Sequence, residues 1–328
     1  MSRIAAAIED LVGNTPLFEP VRVEERLGIR AHLLCKLEGQ NPAGSSKDRA
    51  ALSMLRAAEE AGMIHPGDTL VEQTSGNTGI ALAAMAVPKG YRCDIFLEAG
   101  VTRERKKILL ALGCRLRSRG DIPGISKEEV LAHPYEEASL AEIRAYCKAM
   151  GPRYHFLDQT TNPNNPLAHV RTTGPEIWRD TDGKVDALVL MAGTGGTLRG
   201  LSQYLREKNP KIRIIAAEPA PCSRRCEKNP NCQIIDGVLD FDDHPDHTAS
   251  YFITHDLYDR CLEVSAKEAD ETARLVARTE GLLFGTSGAA ALSAAIRLAK
   301  DPAYDGKNLV VIIPDGGGKY LSSPLYGI

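Results

Sequence analysis

The segment Asn41-Pro42-Ala43-Gly44-Ser45-Ser46-Lys47-Asp48-Arg49 decides how the rest of the chain is read. A strand-like run, Ala31-His32-Leu33-Leu34-Cys35-Lys36-Leu37-Glu38, leads into it. A helix-like run from Lys47 to Met63 leaves it, with Ala51, Leu52, Leu55 and Ala58 at helical spacing. Lys47 is therefore expected in the first turn of a helix, just past a loop of small residues. The positive end of the helix dipole disfavours a cation there, which lowers the cost of a neutral amine. A neutral amine is a nucleophile toward aldehydes. The alternative is a solvated lysine that merely opens an amphipathic helix, and on this stretch alone both readings stand.

The strand–loop–helix unit repeats along the chain. Strands are expected at 69–72, 91–97, 114–117, 155–157, 185–191, 212–218, 262–264 and 309–313. Helices are expected at 2–10, 80–87, 103–112, 136–150, 167–180, from about 198 to 207, 266–280 and 287–299. Residues 219–257 read as irregular and polar. Short connections between alternating strands and helices predict an α/β fold with parallel sheets covered on both faces. No internal repeat or low-complexity linker interrupts the pattern.

Composition sets the class. The chain has 328 residues, 43% hydrophobic and 25% charged, with a net charge of -3. That size accommodates two domains or one large α/β unit. The charge gives no electrostatic reason to expect nucleic acid or an anionic membrane as partner. No run approaches the length of a membrane span. The first ten residues are too short and too soon acidic for a secretory signal, so a cytoplasmic address is expected. Eight cysteines are present. Cys35, Cys93 and Cys261 fall in or beside apolar strand-like runs, where a thiol acts as a small hydrophobe.

Four loops that open helices carry chemistry. The first holds Lys47. The second, Thr74-Ser75-Gly76-Asn77-Thr78-Gly79, offers hydroxyls, an amide and a row of backbone N–H groups at a helix start, which suits a carboxylate. The third, Gly193-Thr194-Gly195-Gly196-Thr197, lets the backbone approach a phosphate closely. It matches neither the Walker pattern nor a full dinucleotide fingerprint, so a monophosphate fits better. The fourth, Gly285-Thr286-Ser287-Gly288, opens another helix. In an open α/β sheet such loops gather at one edge, where ligands bind. A nucleophilic lysine, a carboxylate nest, a phosphate cup and a hydroxyl together suit pyridoxal 5′-phosphate and an amino acid.

At these residues the sequence resembles cysteine synthase, O-acetylserine sulfhydrylase, of the fold type II pyridoxal-phosphate enzymes. The likeness is carried by Asn41 to Met54, Glu72 to Leu82, Asn162 to Trp178 and Gly193 to Gly200, and it runs over most of the chain. The Lys47 to Met54 wording and the Asp158 to Trp178 stretch are most similar to the B isozyme. The resemblance implies a tryptophan synthase β-like architecture of two doubly wound α/β domains with the cofactor between them. Residues 1–45 and 151–328 would form the larger, cofactor-binding domain. Residues 46–150 would form a smaller mobile domain, with Lys47 at its edge.

By position, Lys47 would hold the cofactor as an internal aldimine and act as the catalytic base. Asn77 would bond the phenolic oxygen. Gly193, Thr194, Gly195, Gly196 and Thr197 would bind the phosphate, and Ser287 would face the pyridine nitrogen. Thr74, Ser75, Gly76, Thr78 and Gln159 would take the substrate carboxylate. The implied reaction is β-replacement through an aminoacrylate, giving L-cysteine or S-sulfocysteine from O-acetyl-L-serine and sulfide or thiosulfate. The family also implies a homodimer and serine acetyltransferase as a partner.

Other members of the group remain as alternatives: an O-phosphoserine-dependent synthase, a cystathionine β-synthase or a diaminopropionate-type synthase. From another class, a non-catalytic binding or regulatory protein could keep the fold. Threonine dehydratase is disfavoured by the 193–197 loop, which is not a tetraglycine run. Gln73 stands where the family usually has a small residue or proline. In the irregular stretch, Cys222, Cys226, Cys232, His244 and His247 match no common zinc spacing, and no metal is expected. Arg224 and Arg225 are candidates for donor specificity. His169 is expected to be structural, and Trp178 to pack at a helix end.

Overall fold

A computed structural model describes residues 4–98, 100–132, 137–224, 232–241 and 252–327. Its strands are β1 (Leu17–Phe18), β2 (His32–Leu37), β3 (Thr69–Thr74), β4 (Arg92–Leu97), β5 (Arg115–Arg117), β6 (Tyr154–Phe156), β7 (Ala187–Met191), β8 (Arg213–Pro219), β9 (Arg260–Val264) and β10 (Asn308–Ile313). The helices are α1 (Val21–Leu27), α2 (Lys47–Glu60), α3 (Asn77–Ala86), α4 (Arg103–Ala111), α5 (Lys127–Ala132), α6 (Leu140–Met150), α7 (Asn164–Ala168), α8 (Gly174–Asp180), α9 (Gly196–Lys208), α10 (Ala266–Thr279) and α11 (Thr286–Ala299). No helix among the described residues is long and apolar enough to cross a membrane. The chain divides into two compact units: Met1–Val12 with Lys47–Asn165, and Gly13–Ser46 with Pro166–Ile328.

The second unit is built on a six-stranded sheet of order β1-β2-β10-β7-β8-β9. All pairings are parallel except the edge pair β1–β2. Strand alternation sorts the core onto two faces. Leu33, Cys35, Val189, Ile215, Leu309, Val311 and Ile313 pack with residues of α10 and α11. Leu188, Leu190, Ile214, Ala216, Val310 and Ile312 pack with residues of α8 and α9. Every residue of β7 is buried, as an interior parallel strand covered on both faces requires. α11 is rich in alanine because it lies close on the sheet: a Cβ on Gly288 would come within 2.9 Å of Ile313 Cγ2.

A buried ion pair joins the two sequence segments of this unit. Lys36 of β2 is fully buried, 2.9 Å from Glu176 of α8, and donates to the Thr15 carbonyl at 2.5 Å. The other Glu176 oxygen accepts from the Asn14 amide at 2.9 Å.

The first unit has a four-stranded, fully parallel sheet of order β5-β4-β3-β6. Asp94 of β4 is buried and accepts from Arg115 at 2.5 Å, Arg117 at 3.0 Å and the Tyr146 hydroxyl at 2.7 Å. Three donors offset the cost of taking that charge out of water.

The α/β class and parallel sheets match the expectation, and local differences have local causes. α3 opens at Asn77 rather than at residue 80, because Gly76 adopts φ +125 and turns the chain into the helix early. The helix expected at 167–180 is α7 and α8 with a π-helical stretch, His169–Thr173, between them. The helix expected from 136 opens at Leu140, where the Ser139 hydroxyl accepts from the Glu142 amide. Among the described residues of the expected N-terminal helix, Ile8–Leu11 is regular, as a 3-10 turn. α1 and α5 were not legible in the periodicity, both being short and polar.

Candidate active site

The unit boundary falls between Ser46 and Lys47. In the second unit the lysine loop is pinned just ahead of that boundary. Ser45 forms a β-bridge with Asp315, and the Ser46 amide donates to the Pro314 carbonyl at 2.8 Å. Lys319 donates to the carbonyls of Ala43 and Gly44, each at 3.1 Å. The glycine-rich run that ends in Lys319 thus clamps the loop. Lys47 is the next residue, the first of α2, and half-buried.

The first unit gathers its expected residues at the C-terminal ends of two adjacent parallel strands. Thr74 ends β3, and Gln159 follows β6. The Thr74 hydroxyl accepts from the Gly76 amide at 2.9 Å, which folds the turn. Asn77 and Thr78 fall in the first turn of α3, where backbone N–H groups lack helical acceptors. The Thr78 hydroxyl donates to Gln159 Oε1 at 2.6 Å, and Gln159 Nε2 donates to the Gln73 carbonyl at 2.8 Å. Gln73 therefore serves this loop through its backbone.

Two side chains beneath this loop escaped sequence reading. Arg105 of α4 is buried and donates to the Ser75 carbonyl at 3.1 Å. A Cβ on Gly76 would lie 2.6 Å from Arg105 Cδ, so only glycine fits there. A guanidinium under the loop adds positive potential where an anion is expected. Glu72 of β3 is 1% exposed, and burial pushes its carboxyl up to about 8. Neither shows a spacing signal, because each meets the loop through the fold.

In the second unit β7 leads into Gly193-Thr194-Gly195-Gly196-Thr197, and α9 opens at Gly196. Gly195 sits at φ +81, and a Cβ there would come within 2.5 Å of Ile253. A Cβ on Gly193 would collide with the Gly237 carbonyl. The loop must be glycine at both positions, because neighbouring segments of the chain pack directly against its backbone. His169, expected as structural, is buried in the π-helical stretch. Its Nδ1 lies 2.8 Å from the Thr173 hydroxyl and its Nε2 3.1 Å from the Thr197 hydroxyl. It braces a residue of the glycine loop, and π-helical insertions concentrate at such places.

Ser287 lies in the first turn of α11 and is buried. The adjacent Gly288 packs against Ile313 at the end of β10, the neighbour of β7, so the start of α11 lies at the sheet edge that the 193–197 loop leaves. The Thr286 hydroxyl is buried without a hydrogen-bond partner among the described residues.

Arg224 follows β8. It donates to the Pro219 carbonyl at 2.7 Å and pairs with Glu218 at 3.3 Å, Asp240 at 3.5 Å and Glu263 at 3.8 Å. Arg225, Cys226, His244 and His247 lie outside the described residues. Among the described residues no group of three or more His, Cys, Asp or Glu is arranged to hold a metal ion.

Comparison with known proteins places this geometry. A family model described as pyridoxal-phosphate dependent enzyme matches residues 8–315. Cysteine synthase B of Pseudomonas aeruginosa is 39% identical over 320 residues, covering 97% of each chain. Cystathionine beta-synthase of Apis mellifera is 36% identical, over 98% of this chain and 61% of that relative. Among solved structures, O-acetyl serine sulfhydrylase isoform 3 from Entamoeba histolytica superposes with a TM-score of 0.83 at 30% identity, over 100% of this chain and 93% of the other. The chain therefore belongs to the pyridoxal-phosphate-dependent enzymes, in the cysteine synthase group and with a sequence of B-isozyme type.

Proposed function

We propose that the chain catalyses β-replacement on an activated L-serine, forming L-cysteine from O-acetyl-L-serine and sulfide. The observation that carries this reading is the hydrogen-bonded nest of Thr74 to Thr78 with Gln159, a carboxylate site in the unit whose first helix opens at Lys47. The same reading takes the protein as a cytoplasmic homodimer with serine acetyltransferase as a partner, on the strength of the family resemblance.

The residues present fit pyridoxal phosphate. The glycine loop has no room for side chains at Gly193 or Gly195, and α9 presents its N-terminus there. Gly193, Thr194, Gly195, Gly196 and Thr197 would hold the phosphate, Asn77 the phenolic oxygen, Ser287 the ring nitrogen and Lys47 the aldehyde carbon. When bound, the cofactor supplies an electron sink that acidifies the substrate α-carbon.

The chain's own groups do the rest. Thr74, Ser75, Gly76, Thr78 and Gln159 fix the substrate carboxylate and with it the orientation of the α-carbon. Lys47 Nζ takes the α-proton as general base and returns it after the sulfur nucleophile has added. Ser287 offers a neutral hydroxyl, which does not enforce a proton on the ring as a carboxylate would. The weaker sink favours prompt loss of the β-leaving group over transamination. Arg224, proposed with Arg225 for donor specificity, pairs with Glu218, Asp240 and Glu263.

A turnover assay tests the proposal: holoprotein with O-acetylserine or O-phosphoserine, each paired with sulfide or thiosulfate. The expected result is cysteine from O-acetylserine and sulfide. Product only from a bulkier thiol such as homocysteine would overturn it in favour of the cystathionine-forming reading, which the Apis mellifera relative favours.

A further inference from the structure

Glu72 lies at the end of β3, two residues before Thr74, and is 1% exposed. Its Oε1 accepts from the Gln73 amide at 3.2 Å and from the Gln159 amide at 3.4 Å. Its Oε2 has no hydrogen-bond partner among the described residues. An ionised carboxylate with one bare oxygen in so dry a place costs more than the neutral acid, whose unpaired O–H carries a smaller desolvation cost. We propose that Glu72 is a positioning residue for the substrate carboxylate, acting in its protonated form through Gln159. The proposal rests on the reading of the 74–78 loop and Gln159 as a carboxylate site.

Its surroundings point the same way. Asp158, just after β6, is the nearest acidic group that opposes ionisation of Glu72. The Asp158 carboxylate is taken by Arg144 of α6 at 2.5 Å and by the Thr161 hydroxyl at 2.7 Å. Cys147 of α6 is the other titratable neighbour, itself held as a neutral thiol by burial. The cross-strand neighbour on β4 is the apolar Ile95, and α3 carries no ionisable side chain. Arg105 of α4 directs one guanidinium nitrogen to Ser75.

Neutral Glu72 does two things at once. It ties the backbone of Gln159 to β3, so that the Gln159 side chain is aimed at Thr78. It also keeps a second negative charge out from under the site where the substrate brings its own. Ionisation would set two like charges close together in a low-dielectric region and weaken substrate binding.

The test is the dissociation constant of L-serine for the holoenzyme, read from the cofactor's visible spectrum across pH, in wild type, Glu72→Gln and Gln159→Ala. Glu72→Gln keeps an oxygen acceptor and cannot ionise. The expected result is that binding to the wild type weakens about tenfold more than binding to Glu72→Gln between pH 7 and pH 9. The titration of L-serine's own amino group is common to both and cancels in the ratio. Parallel profiles, with Gln159→Ala weakened, would overturn the role of Glu72 alone. Unweakened Gln159→Ala would overturn the carboxylate site beneath it. Should Glu72→Gln fail to fold, wild type labelled with carboxyl-13C glutamate decides: one resonance titrating near pH 8 supports the proposal, and none overturns it.

Discussion

Thr78 donates its hydroxyl hydrogen to the Gln159 amide oxygen at 2.6 Å across 81 positions of sequence. Each residue follows the C-terminal end of one of two adjacent parallel strands. That bond joins the 74–78 loop to the polar segment after β6, and both residues are buried.

Loss of Gln159 falls on substrate binding. A hydrogen bond to a charged group contributes about 1.5–3 kcal/mol. Gln159→Ala is expected to raise KM for O-acetylserine about ten- to a hundredfold, with a smaller change in kcat. Steady-state kinetics with sulfide saturating separate the two. A fall in kcat at constant KM would place Gln159 elsewhere in the cycle.

The glycine loop admits no side chain. Gly195→Ala puts a methyl group in the left-handed region, at a cost of about 1–2 kcal/mol before its contact with Ile253. Affinity for pyridoxal phosphate, measured by equilibrium dialysis of the apoprotein, is expected to fall at least about tenfold. Unchanged affinity would remove this loop from the phosphate site.

Lys36 is a structural charge. Lys36→Ala removes the cation that faces buried Glu176, and breaking such an ion pair costs about 3–5 kcal/mol. Urea unfolding of the variant should show the loss, while cofactor affinity of the folded fraction stays close to wild type.

Glu72 gives stability a pH slope of defined sign. Its carboxyl is raised from 4.5 to about 8 in the folded chain. Between those values the folded protein holds a proton that the unfolded chain has released. The stabilising contribution is therefore complete below pH 4.5 and is lost as pH climbs toward 8, by about 1.4 kcal/mol per pH unit. Urea unfolding at pH 5.5 and 7.5 checks this, and Glu72→Gln is expected to flatten the difference.

Much of this was legible in the sequence, for a physical reason. Loops between parallel strands and helices use small and hydroxyl residues in contiguous runs, so 74–79 and 193–197 announce themselves. β7 reads cleanly because burial on both faces makes it continuously apolar. Glu72, Arg105 and His169 were illegible as site residues because each meets its loop through a neighbouring strand or helix. The ion pairs of Arg224 were illegible because Glu218, Asp240 and Glu263 come from scattered positions. The π-helical stretch at His169–Thr173 departs from a 3.6-residue repeat by one residue, too little for periodicity to register.

Whether Lys47 holds the cofactor and moves the α-proton is read from the visible absorption spectrum of the protein reconstituted with pyridoxal phosphate, in wild type and in Lys47→Ala. The wild type is expected to show a band that survives removal of free cofactor, shifts to longer wavelength with O-acetylserine and returns when sulfide is added. Lys47→Ala should bind cofactor without that band and show no turnover. The same band and the same response in Lys47→Ala would contradict the account.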